Sequence, residues 1–406
     1  MARREEVAKA HIMQAACASA LTGVTLKHGG PFGACVVRNG IFISMAHNTV
    51  LMDKDPTCHA EMNAIRYACD ALGTHDLSDC ELYTTCEPCP MCLGACSWSR
   101  IKKIYTGVDR FTAAQFGFDD KVFYDELEAH SGQWAVTPAS PVGEAHMRGP
   151  RSRRLRIGQT TPDVQPSMLN MYWGLEKDRV HKILGDPELN RTFRRRMGEK
   201  SIGFHGDSAR FGPDKRAIPG ASEANNSDSD GEDSSTTGAF PPAEDTSKYF
   251  DILEEAIREA VDNGQNKERE VFASCIVDRD GKVVSVAVNE VLKRRDATAT
   301  SEILAIRKAT KKLGTYALDG CSMYSTVEPC VMSLGSILWA RIENLYYGLS
   351  QNAAARYGFE EGLLHYRELF ADPEVVRRVM DTETRVGFDA CEDVFKRWSE
   401  VNGIIY

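Results

Sequence analysis

The sequence predicts an α/β chain of two domains, each a three-layer α/β/α unit around a mixed central sheet, the two paired as an intramolecular pseudo-dimer. Three observations predict this. Residues 55–118 align without a gap onto residues 296–359 at a constant offset of 241, which implies two copies of one fold. Within each copy strand-like and helix-like runs alternate, the pattern of a sheet covered on both faces. The stretch between them, residues 141–245, shows little of that alternation and is Ser-, Asp- and Asn-rich and acidic over 221–235, as a disordered linker is. The domains are therefore expected at residues 1–140 and 246–406.

In the first copy, Ala34 to Val37 and Ile41 to Met45 are apolar runs flanking Arg38-Asn39-Gly40, a hairpin signal. A helix is expected from about His59 to Leu72, with Met62, Ile65, Ala68, Cys69 and Leu72 on one face and Gly73 as its stop. A strand (Glu81 to Thr85), a helix (Pro90 to Trp98) and a further strand (Lys103 to Gly107) follow. The second copy repeats the order and ends in an amphipathic helical stretch, with Val394, Phe395, Trp398 and Val401 before Ile404-Ile405-Tyr406.

Composition narrows the function classes. Hydrophobic residues at 42% and charged ones at 26% of 406 describe a globular protein. No apolar run approaches a membrane span, and the start lacks a secretory signal's apolar stretch, so a cytoplasmic protein without membrane contact is expected. A net charge of -9 argues against a general grip on nucleic acid, although arginines around 148–156 and 191–196 leave room for an anionic partner. Nine of the 13 cysteines lie before residue 97, and such clustering points to metal or catalysis rather than a disulfide framework.

His59-Ala60-Glu61 followed by Pro88-Cys89-Pro90-Met91-Cys92 has the signature of zinc-dependent base deaminases. Catalytic zinc takes three protein ligands and leaves a fourth position for water, and His59, Cys89 and Cys92 make three. Cys89 and Cys92 fall at the start of a helix, where unpaired N–H groups favour thiolates. A metal there lowers the pKa of its bound water toward ~7, and Glu61, two residues from His59, is placed to shuttle the proton. A redox pair, or a closed structural site with Cys86 as fourth ligand, is the alternative reading of Cys-x-x-Cys. In the second copy Thr300 and Ser333 replace His59 and Cys92, so one zinc per chain is expected.

Over residues 5–127 the chain resembles the cytidine-deaminase-like superfamily, and within it the bacterial guanine deaminases and plant guanosine deaminases. The likeness rests on Gly29-Gly30-Pro31-Phe32-Gly33-Ala34, Asn48, Asp55-Pro56-Thr57, the two metal motifs, Trp98 and Gly117-Phe118-Asp119-Asp120. The resemblance implies that Asn48 and Asp120 bind a small-molecule purine base, that Phe32 and Trp98 line its pocket, and that a C-terminal Tyr, here Tyr406, closes it from the partner domain. A carboxylate at Asp120 suits guanine, which presents N1–H and the 2-amino group as adjacent donors, whereas adenine offers a bare acceptor there. The expected reaction is hydrolysis of guanine to xanthine and ammonia. Guanosine deamination, tRNA adenosine deamination and a non-enzymatic zinc-stabilised interaction module are the rivals. The degenerate second copy is expected to replace the second subunit of a homodimer, with further association left open.

Overall fold

The computed structural model describes residues 2–101, 103–118, 156–159, 247–262, 272–349, 351, 381–383 and 388–400. Residues Met1–Leu175 and Thr246–Tyr406 belong to one compact unit; Glu176–Asp245 forms another, which lies outside the described residues.

The first copy opens with a long helix, α1 (Ala2–Leu26), which sequence patterning did not delineate. It buries Met13, Ala16, Ala20 and Val24 against the first sheet. The hairpin of β1 (Gly33–Arg38) and β2 (Ile41–His47) follows, its turn made by Asn39 (φ 52°) and Gly40 (φ 75°) as a type I′ turn requires. Next come a short α2 (Val50–Asp53), α3 (Ala60–Leu72), β3 (Glu81–Cys86), α4 (Pro90–Trp98), β4 (Lys103–Val108) and α5 (Arg110–Gln115). β1 pairs antiparallel with β2 and β3, whereas β3 and β4 run parallel, giving the mixed sheet expected.

The second copy reproduces the order after β5 (Arg156–Gln159): α6 (Ser247–Asp262), β6 (Ala273–Val277), β7 (Val283–Val288), α7 (Val291–Arg294), α8 (Ser301–Leu313), β8 (Ser322–Val327), α9 (Val331–Trp339) and β9 (Asn344–Leu349). The last elements among the described residues are β10 (Asp381–Glu383) and α10 (Phe388–Glu400).

The outer strands are exchanged. β10, which follows the second copy in sequence, pairs in parallel with β4 of the first sheet, and β5, which follows the first copy, pairs in parallel with β9 of the second. The sheet orders are accordingly β10-β4-β3-β1-β2 and β5-β9-β8-β6-β7. α10 then packs on α1, β3 and β4, with Cys391 fully buried and its sulfur 3.5 Å from that of Cys17. β5 lies inside the stretch read from sequence as linker. Arg156-Ile157-Gly158-Gln159 carries one apolar residue and pairs with a strand almost 190 positions away, so neither alternation nor a turn announces it.

The two copies meet through α4 and α9, which join α3 and α8 in one continuous apolar cluster. Crossing is close enough to require glycine on both sides. A Cβ on Gly94 would stand 2.6 Å from the Met332 backbone nitrogen, and one on Gly335 would stand 2.6 Å from that of Met91. Around this contact Arg66 Nε donates to Thr298 Oγ1 (2.9 Å), and Arg307, at the position equivalent to Arg66, donates from Nε to Asp55 Oδ2 (3.2 Å). Among the described residues no helix is long and apolar enough to cross a membrane.

Candidate metal centre

His59 and Cys89 occupy equivalent places in the local fold. Each is the extended residue preceding a helix, His59 before α3 and Cys89 before α4, where Pro90 fits the first helical position. Cys92 lies in the first turn of α4. Both helices point their N-termini at one spot, which places an imidazole and two sulfurs in the positive end of two helix dipoles. Their ligand atoms lie within 4.8 Å of one another, and the three residues are buried.

The spacing fits zinc. With Zn–N near 2.0–2.1 Å and Zn–S near 2.3 Å at tetrahedral angles, nitrogen and sulfur should be about 3.6 Å apart. His59 Nδ1 stands 3.7 Å from Cys89 Sγ and 3.6 Å from Cys92 Sγ. Burial opposes ionisation of Cys89, but hydrogen bonding to Cys92 and neighbouring His59 outweigh it and hold the thiol well below its ordinary value. Burial and the Cys89 sulfur push Cys92 the other way, so a cation is needed to hold both as thiolates. Cys86 lies outside this group.

Glu61, in the first turn of α3, is 4% exposed. Its Oε1 accepts from Thr84 Oγ1 at 2.8 Å, and its Oε2 lies 3.5 Å from Cys92 Sγ. Burial is the main force raising its carboxyl above the ordinary range. Thr84 escaped sequence reading; the only signal for it is the repeat, which keeps a hydroxyl at the equivalent Ser325.

The equivalent place in the second copy is filled by hydroxyls. Ser325 Oγ donates to Glu302 Oε1 (2.8 Å), Ser333 Oγ to Glu302 Oε2 (3.0 Å), and Thr300 Oγ1 is 3.0 Å from Ser333 Oγ. Beside it Glu328 stands where Glu87 does. Glu87 is paired with Arg110 at 2.6 Å, but Gln351 replaces that arginine, and burial pushes the Glu328 carboxyl up to about 7. Because the native carboxyl keeps its proton above the pH at which the unfolded chain loses it, stability should fall as pH rises from about 4.5 to 7 and then level off. Glu328→Gln is expected to be equal to wild type at pH 4.5 and about 2–3 kcal/mol more stable at pH 8, measured by urea unfolding. Parallel pH profiles for the two proteins would contradict this.

Of the residues implied in substrate contact, Asn48 is fully buried. Its Oδ1 accepts from the Val50 backbone N–H at 3.1 Å, while its Nδ2 has no partner among the described residues. Phe32 packs edge-to-face on Phe118, ring centroids 4.8 Å apart. Trp98 lies beside Cys330 of the second copy, and the indole against His59, 4.7 Å between centroids, is that of its repeat-mate Trp339. The exchange follows from the α4–α9 crossing, which carries the far end of each helix toward the other copy's site. Asp120 and Tyr406 lie outside the described residues.

The sequence profile of the cytidine and deoxycytidylate deaminase zinc-binding region matches residues 7–108 and 246–349. Guanine deaminase from Bacillus subtilis is 50% identical over 109 residues, 27% of this chain and 70% of that one. A tRNA-specific adenosine deaminase from Aquifex aeolicus is 53% identical over 81 residues, 20% of this chain and 54% of that one, so this chain spans only about half of that relative. The X-ray structure of the Bacillus subtilis guanine deaminase aligns at 40% identity over 34% of this chain and 85% of that one, with a TM-score of 0.29. The two profile matches take in half of the sequence, and the chain belongs to the cytidine and deoxycytidylate deaminase zinc-binding family.

Proposed function

We propose that the first copy hydrolyses guanine to xanthine and ammonia. The observation that carries the reading is Glu61 held beside three ligands of correct spacing for zinc. When bound, zinc supplies an activated water nucleophile at neutral pH. Thr84 occupies Glu61 Oε1, which leaves Oε2, on the side of Cys92, to pass the first proton of water to a ring nitrogen and then carry the second, from the newly attached hydroxyl, to the departing amine.

Asn48 Nδ2, a buried donor without a partner among the described residues, matches an acceptor on the purine. Gly29 keeps it aimed, since a Cβ there would stand 2.1 Å from Asn48 Oδ1. Guanine in particular is favoured by the 70% coverage of the Bacillus subtilis guanine deaminase and by the carboxylate at Asp120. α10, which follows the second copy in sequence, packs on the first sheet, and Glu400, its last described residue, is six positions before Tyr406, which supports that tyrosine closing the first pocket.

The test is ammonia release from guanine, guanosine, adenine, cytosine and cytidine, with a tRNA anticodon stem-loop added because of the Aquifex aeolicus relative. Guanine is expected to exceed adenine by about 10²-fold or more in kcat/KM, and Asn48→Ala to raise KM about 10-fold. Faster release from guanosine or from the stem-loop would reassign the substrate.

A further inference from the structure

The ligand His59 is met by a ring from the other copy. Trp339, the last residue of α9, lies edge-to-face on its imidazole with centroids 4.7 Å apart and planes at 70°. The same indole packs beside Val50 and Cys58 of the first copy, two positions from Asn48 and one from His59 in sequence. Its repeat-mate Trp98 ends α4 and reaches Cys330, which stands where Cys89 does. Each of these helices thus begins at its own copy's site and ends at the other's, an arrangement enforced by the Gly94–Gly335 crossing.

We infer that Trp339 is a positioning residue for the first copy's metal centre. His59 faces the two sulfurs through Nδ1, and rotation of the imidazole about its Cβ–Cγ bond would swing that nitrogen away from both. An edge-to-face indole held by Val50 and Cys58 fixes the ring plane. Groups that orient a ligating histidine typically change metal affinity 10–100-fold when removed. The second copy, whose own equivalent of the ligand set is altered, is in this way part of the first copy's centre. The inference rests on the zinc reading but not on the identity of the substrate.

Two measurements on the full, zinc-loaded chain test it. Trp339→Leu is expected to release zinc to a chromogenic chelator about 10-fold faster than wild type, and Trp339→Phe, which keeps an aromatic ring in place, to restore the slow rate. In the cobalt(II)-substituted protein the Trp339 indole N–H signal, identified among the five tryptophans by its absence in Trp339→Phe, is expected to be broadened away by the nearby paramagnet. The second measurement stands even if the leucine variant does not fold. Zinc release from Trp339→Leu at the wild-type rate, or a sharp Trp339 signal in the cobalt form, would overturn the inference. A wild-type chain that takes up neither zinc nor cobalt would overturn the metal reading beneath it.

Discussion

Replacing Glu61 with Gln is expected to lower kcat for ammonia release by about 10²–10⁴-fold while the zinc content, measured by atomic absorption, stays at the wild-type level. The amide keeps the shape of the carboxylate and an oxygen to accept from Thr84 Oγ1, so the wall around the site is preserved. What it loses is the capacity to bind and release a proton beside Cys92. Glu61 is outside the ligand triad, which is why metal and turnover should separate. The matching change in the second copy, Glu302→Gln, replaces an acceptor of two serine hydroxyls in a place without the triad and should lower the thermal midpoint by a few degrees with turnover unaltered. Turnover above a tenth of wild type in Glu61→Gln would remove Glu61 from the chemistry. A protein inert toward every base and nucleic acid offered would favour the zinc-stabilised interaction module instead.

Much of this architecture is legible in the sequence because its signals are local. The Arg38-Asn39-Gly40 turn, the apolar face of α3 and the Pro90 start of α4 each act within a few residues, and the structure places those elements within one or two positions of expectation. The triad is legible for a related reason: two ligands precede helices and the third follows within a turn, so spacing alone brings them to one spot. The 25-residue α1 is less so, since its apolar residues are mostly small and its periodicity shallow. The least legible features are those made between the copies. Neither β5 nor β10 has a partner nearby in sequence, and the placement of Trp98 and Trp339 depends on how α4 and α9 cross, which no residue of either helix declares by itself. The resemblance assigns Trp98 to the pocket by its position in the motif, and in this chain the indole that meets His59 is that of its repeat-mate Trp339, carried by the copy whose ligands have changed.

That crossing is also a place where substitution should cost heavily. Gly94 and Gly335 are related by the repeat, and each would place a Cβ 2.6 Å from a backbone nitrogen and 2.8 Å from a backbone Cα of the opposite helix. No side-chain rotation relieves a clash with backbone, so α4 and α9 must separate, and the apolar cluster they share opens with them. Gly94→Val and Gly335→Val are each expected to destabilise the chain by about 3 kcal/mol or more, read as a fall in the urea midpoint. The two losses should be nearly equal although only one of these helices brings ligands to the metal centre, because the surroundings of the two glycines match. Both variants should release zinc faster as well, Gly335→Val included, since moving α9 withdraws Trp339 from His59. The double variant should cost much less than the sum of the singles: helices forced apart by one valine already have room for the second. Additive losses would mean that the two sites relax independently and that the copies do not share one tightly packed crossing.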